Sequence, residues 1–187
     1  MKRPRVASLA ALLLAAAWSG GCREDAPPPE AAERSYCDRS ERFALDVPEG
    51  WDPVRLDGVD AAFMRRGSGS AARLVVTVEV RRPQRTVDNL RGLLTLTREQ
   101  LGQFDGYEEL ETGLADHESG RRAYRVDALC RHPPATAPSG ETSVRRFRQY
   151  GMLVRGRWGA ATALGPADSA GQWLPEVEPL LQSFLLW

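Results

Sequence analysis

The side chains of this sequence that could carry chemistry are three cysteines, two histidines and a group of arginines. Asp116-His117-Glu118 sets two carboxylates beside an imidazole, the ingredients of general acid–base catalysis. Neighbours in a strand point to opposite faces, however, and no Gly-x-Ser-x-Gly elbow accompanies them, so a solvated loop is the expectation. His117 and His132 share no ligand spacing with the cysteines, so neither a metal nor another cofactor is expected. Arg125, Arg146 and Arg148 lie close to Arg121, Arg122 and Arg145 in strand-like sequence. Paired guanidiniums hold carboxylates and phosphates, which makes Arg125, Arg146 and Arg148 the candidate anion-binding residues. The competing expectation is that they pair with Asp or Glu across strands.

The three thiols divide by position. Lys2, Arg3 and Arg5 precede an apolar run from Val6 to Trp18, which is too short to span a bilayer and suits the core of an export signal. Ser19-Gly20-Gly21 then leads to Cys22. This arrangement resembles a bacterial lipoprotein signal, in which the cysteine is acylated and becomes the mature N-terminus. Gly21 fits that pattern, while Ser19 stands where a branched aliphatic residue is usual. Ordinary secretion, with cleavage after Ala17 or nearby, is the other reading. Residues 1–21 are thus expected to be a signal peptide. Residues 22–36 follow as a lipidated cysteine and a tether, stiffened by Pro27-Pro28-Pro29 to roughly 3 Å per residue. Cys37 and Cys130 remain. Two cysteines in an oxidising compartment are expected to form a disulfide, which over so long a loop is worth on the order of 4–5 kcal/mol in the chain-entropy model. A nucleophilic or redox thiol is the weaker reading, because no C-x-x-C spacing is present.

Composition narrows the function classes. The chain has 187 residues, 42% of them hydrophobic and 27% charged, enough for one domain with a true core over residues 37–187. Its formal net charge is zero, which argues against a general nucleic-acid binder. Lys2 is the only lysine, isoleucine is absent and Asn89 is the only asparagine. A GC-rich genome accounts for all three, so the abundance of arginine needs no recognition role.

The elements that must position these residues can be read from periodicity. Phe43, Leu45 and Val47 share one strand face; Pro48 and Gly50 form a turn, and Trp51 is expected to fold back into the core. Ala61 to Arg65 is a second strand. Gly67-Ser68-Gly69-Ser70 is a turn that lacks the Lys-Ser/Thr of a phosphate loop. From Arg73 to Arg81, Leu74, Val76, Val78 and Val80 alternate with polar residues. Thr86 offers a helix N-cap, and Val87, Leu90, Leu94, Thr97, Leu101 and Phe104 mark the buried stripe of that helix. Tyr107 to Ser119 reads as a weaker strand, and Tyr124, Val126, Ala128 and Cys130 as the inward face of another. After the loop His132 to Gly140, strands run over 144–154 and 158–164. Val177, Leu180, Leu181 and Phe184 then indicate a helix, kinked or in two pieces because of Pro175 and Pro179. The closing Ser183-Phe184-Leu185-Leu186-Trp187 reads alternatively as a last strand.

The order of elements, entered through Phe43-Ala44-Leu45-Asp46-Val47-Pro48-Glu49-Gly50-Trp51 and left through Leu180-Leu181-Gln182-Ser183-Phe184, resembles the PsbP/DcrB-like fold group. The resemblance implies an α+β fold, an antiparallel β-sheet flanked by helices in an α/β/α sandwich, often carried by bacterial envelope lipoproteins. It supplies no catalytic residues, since the group shares no catalytic motif.

These observations lead to the expectation of a non-enzymatic protein of the bacterial cell envelope. It would be anchored to membrane lipid through acylated Cys22, face the periplasm, and act through an envelope protein partner in assembly or maintenance. Secretion replaces anchoring if Cys22 is not lipidated. The alternative expectation is a periplasmic binder of a small ligand or anion in a cleft between sheet and helix.

Overall fold

A computed structural model of the chain describes residues 26–66, 74–81, 89–131 and 144–187. Cys22, the signal peptide, Gly67-Ser68-Gly69-Ser70, Thr86 and the loop from His132 to Gly140 lie outside the described residues. Helix α1 covers Pro29–Ala32, followed by strands β1 (Tyr36–Asp38), β2 (Phe43–Leu45), β3 (Trp51–Pro53), β4 (Ala61–Arg65) and β5 (Val75–Arg81). Helix α2 (Leu90–Leu101) leads into β6 (Glu108–Asp116), β7 (Arg122–Cys130), β8 (Arg145–Val154) and β9 (Arg157–Pro166). Helix α3 (Ala170–Gln182) and β10 (Leu185–Leu186) complete the order.

Seven strands form one antiparallel sheet in the order β3-β4-β5-β9-β8-β7-β6. The sheet carries one helix on each face. Val76, Val78, Val80, Tyr150, Met152, Ala161 and Ala163 pack against Trp173, Val177, Leu180 and Leu181 of α3 to form the main core. On the opposite face Tyr124, Val126, Ala128, Cys130 and Phe147 gather around Leu93 of α2 in a second core. The fold is therefore α+β, an antiparallel sheet between helices, as expected.

Strand alternation explains the two cores. Along β5 the valines at 76, 78 and 80 are buried against α3, while Thr77 and Glu79 face α2. Arg155 and Gly156, at φ 50° and 73°, make the two-residue loop joining β8 to β9, the left-handed pair that a tight hairpin with right-twisted strands requires.

Pro175 and Pro179 both lie inside α3, which runs unbroken rather than kinked into two pieces. The prolines are four residues apart and so occupy the same side of the helix, and both are exposed. The carbonyls that lose their N–H partners thus lie on the solvent side, where water replaces the missing bonds.

The buried stripe of α2 also differs from expectation. Its N-cap is Asn89, whose Oδ1 accepts from the Gly92 N–H at 2.8 Å, and Leu93 is the leucine most deeply buried in this helix. Thr97 is buried as expected and Leu90, Leu94 and Leu101 are partly buried beside it, but the deepest contact with the sheet is made by Leu93, which the periodicity had left out of the stripe.

A small second sheet, β1-β2-β10, joins the two ends of the domain. Phe43 and Phe184 are fully buried with ring centroids 6.4 Å apart. The Ser183 hydroxyl accepts from the Asp46 N–H and donates to the Leu180 carbonyl, both at 2.7 Å. Gly50 adopts φ 87° in the turn after β2, and Trp51 is buried in the main core as expected.

Candidate functional site

The sequence-predicted arginines do converge, on the α3 face of the sheet, but not on open space. Arg146 grips Asp127 through two bonds, Nε to Oδ1 at 2.8 Å and Nη2 to Oδ2 at 2.9 Å. Arg148 reaches the same Asp127 Oδ2 and also Glu178 Oε2 of α3 at 2.8 Å. Glu178 accepts in addition from the Tyr150 hydroxyl at 2.6 Å. Burial opposes charge on both acids, yet the guanidiniums and the other donors outweigh it and hold Asp127 and Glu178 below their usual carboxylate range. Arg125 pairs with Glu111 across β6 and β7. The anion site expected at Arg125, Arg146 and Arg148 is thus replaced by an internal network. Its physical reason is that Asp127, fully buried on the same strand face, already neutralises the arginines beside it.

The expected staple between Cys37 and Cys130 is not formed; both thiols are free. Cys37 packs in the small-sheet cluster of Ala31, Ala44, Leu185 and Trp187. Cys130 lies at the end of β7 in the second core, on the α2 face. The two thiols are separated because β1 joins the small sheet while β7 belongs to the large one. Burial pushes the Cys130 thiol up to about 11, against a smaller opposing effect of Arg145, so it is protonated at neutral pH and no nucleophile.

His117 is no acid–base centre either. Ser119 donates its N–H to Nδ1 at 3.3 Å, which leaves the proton on Nε2, 3.3 Å from the Leu181 carbonyl. The ring thereby ties the β6–β7 turn to the end of α3. Asp116 and Glu118 point outward, so the three residues do not converge.

The cleft between sheet and helix, the alternative expectation, has a counterpart on the face away from these arginines. Between α2 and the sheet lies a cleft of about 350 Å³, lined among others by Leu101, Phe104, Cys130, Phe147, Trp158 and Leu164. The segment Leu56-Asp57-Gly58-Val59 closes one side. Most of its wall is apolar, and its polar groups are ordered. The indole N–H of Trp158 donates to the Tyr124 hydroxyl at 3.0 Å, and Thr97 Oγ1 lies 3.4 Å from the same oxygen. Tyr124 donates onward to Gln149 Oε1 at 3.2 Å, and Gln149 Nε2 to Thr162 Oγ1 at 2.9 Å. Thr77, Thr162 and Gln149 stand side by side on adjacent strands, a polar row across an otherwise apolar sheet face. Glu79 lies beside that row, and desolvation raises its carboxyl above the usual range, with Arg81 opposing and Asp60 adding to the shift.

The cleft combines apolar walls with a few convergent polar groups, the make-up of a small-molecule site. Among the described residues its polar side chains are amides, hydroxyls, an indole, carboxylates and the buried Cys130 thiol. Among the described residues no group of His, Cys, Asp and Glu is placed to hold a metal. No described helix is long and apolar enough to cross a membrane. The signal for the cleft in the sequence was the polar side of β5, where Thr77 and Glu79 alternate with buried valines.

No family model matches the sequence, and no curated protein matches it significantly. Solved structures do match. The solution structure of cyanobacterial PsbP (CyanoP) from Synechocystis sp. PCC 6803 superposes with a TM-score of 0.54 at 16% identity, covering 81% of this chain and 91% of that one. LpqN of Mycobacterium tuberculosis, described as involved in cell envelope biogenesis, gives 0.55 at 11% identity over 77% and 82% of the two chains. PA94 of Pseudomonas aeruginosa, a protein of unknown function and putative regulator, gives 0.52 at 14% over 78% and 98%. Identities this low speak for architecture alone, and together with the sheet order and the helix on each face they show that the chain has the PsbP/DcrB-like fold.

Proposed function

We propose that this chain is a non-enzymatic protein of the bacterial cell envelope, lipid-anchored through Cys22, which binds a small ligand in the cleft between α2 and the sheet. The observation that carries the reading is the cleft itself, with about 350 Å³ of space, apolar walls and an ordered polar row at its floor. That combination is characteristic of small-molecule sites. The absence of catalysis is supported by the protonated, buried Cys130 and by His117 being engaged with the Leu181 carbonyl. An envelope role is supported by the sequence from Lys2 to Cys22 and by the likeness of fold to LpqN, which is involved in cell envelope biogenesis. Assembly or maintenance of the envelope is the work in which such binding would serve, with an envelope protein as the onward partner.

The test is a titration of isotope-labelled protein with 2-phenylethanol, a neutral probe that fits the volume, followed at the Trp158 indole N–H resonance. Saturable shifts at Trp158 and at the Gln149 side-chain amide are expected, and they should vanish in Thr77→Phe, which fills the cleft. Shifts that persist unchanged in the filled variant would overturn the reading.

A further inference from the structure

The cleft is electrostatically one-sided. Asp57 and Glu79 are the charged residues of its lining, and no arginine, lysine or histidine lines it among the described residues. Among the described residues the guanidinium in electrostatic reach of Glu79 is that of Arg81, and it is already committed. Arg81 Nη1 donates to Asp60 Oδ2 and to the Val80 carbonyl, both at 2.8 Å, and Nη2 donates to the Gly58 carbonyl. Glu79 itself makes no hydrogen bond and no ion pair among the described residues, although it is partly withdrawn from water. A desolvated carboxylate without a partner costs stability unless something supplies the missing charge and donors. The other polar groups nearby do not supply them. The Tyr124 hydroxyl spends its proton on Gln149, and the Gln149 amide spends a proton on Thr162.

We infer that the cleft takes a ligand bearing a protonated amine, its ammonium group seated against Glu79 and its apolar body packed between Phe104, Phe147 and Trp158. This inference rests on the cleft being a ligand site and specifies its chemistry. An ammonium offers three donors and a full positive charge to an acceptor-only carboxylate. The aromatic rings beside it favour a cation over a neutral head, because their faces carry the negative part of the quadrupole. An anionic ligand meets carboxylates, with no cation lining the cleft among the described residues, and is disfavoured on the same grounds.

Three probes of nearly equal shape separate the outcomes: phenethylamine, 2-phenylethanol and phenylacetate, each titrated at neutral pH and followed at the Trp158 indole N–H. The amine is expected to bind at least tenfold more tightly than the alcohol, and phenylacetate most weakly. Glu79→Gln should bring the amine down to the affinity of the alcohol. The ranking in the unaltered protein decides the matter even if that variant folds poorly. Equal binding of amine and alcohol, or tightest binding of phenylacetate, overturns the amine assignment and leaves the cleft as a ligand site. Failure of all three to move the Trp158 resonance overturns both.

Discussion

The ring of Tyr124 lies across Gly151, its cross-strand partner on β8, so closely that a methyl group on Gly151 would stand 2.2 Å from the ring. The empty side of this glycine is what lets Tyr124 lie flat and bring its hydroxyl to Trp158 and Gln149. Gly151→Ala therefore should overpack the second core, costing about 1–3 kcal/mol in urea denaturation. It should also displace the Trp158 indole resonance. Tyr124→Phe keeps the packing but removes the hydroxyl that three side chains share, for a loss of about 1–2 kcal/mol. A Gly151→Ala protein as stable as the parent, with an unmoved Trp158 resonance, would contradict the close approach.

Asp127 is the hub of the charge network on the other face. Asp127→Asn leaves Arg146 and Arg148 without their common counter-charge and should destabilise by about 3 kcal/mol or more. The folded carboxyl titrates below its ordinary value, so its contribution is complete above about pH 4 and is lost as pH falls through the lowered value. Acid unfolding curves of parent and variant should accordingly converge at low pH. Parallel curves would show that Asp127 is not the titrating group.

His117 gives a second pH dependence, in a separate window. Burial lowers its folded pKa more than the Leu181 carbonyl and Glu118 raise it, with Arg34 and Arg121 adding to the lowering. Unfolded chains thus take up the proton more readily, and stability should fall as pH drops below about 6.5 toward the depressed value. Protonation also abolishes the Nδ1 lone pair that accepts from the Ser119 N–H. His117→Gln should flatten the slope of stability between pH 7 and pH 5; an unchanged slope would assign it to other groups.

The two thiols of the domain should label without prior reduction. Half-exposed Cys37 should react with iodoacetamide in the native protein, whereas buried Cys130 should react only on unfolding. If neither labels in denaturant until a reductant is added, the thiols are bridged after all.

The anchor has its own test. Intact mass of protein from the membrane fraction should show Cys22 as the acylated first residue of the mature chain. An unmodified chain that begins upstream of Cys22 would exclude lipid anchoring.

The elements that alternate strictly were the ones legible in the sequence. Leu74 to Val80 could be placed on a sheet face because every second residue is a branched aliphatic, and Trp51 could be placed in the core because a Pro-x-Gly turn aims it inward. The deep burial of Leu93 in α2 was not legible. Leu90, Leu93, Leu94 and Leu101 offer more than one apolar stripe, and only the sheet beneath selects Leu93. Nor was the fate of the arginines. Asp127 reads as one polar residue of a half-buried strand, and its encounter with Arg146 and Arg148 depends on the β7–β8 register. A cleft between sheet and helix was an open alternative, but its polar row was hidden for a similar reason: Thr77, Gln149 and Thr162 are far apart in sequence and become a row only when β5, β8 and β9 align.

The pairing of β2 with β10 sets the order in which the molecule can mature. Phe43 and Ala44 find their sheet partners in Leu186 and Leu185, almost the whole domain later, so closing that long loop is expected late in folding. A chain emerging from the ribosome N-terminus first cannot complete this sheet until Leu186 has cleared the exit. Until then Phe43 and Leu45 offer an uncovered strand to any chaperone or protease at the exit, and a chain cut short of Ser183 keeps that edge open for good.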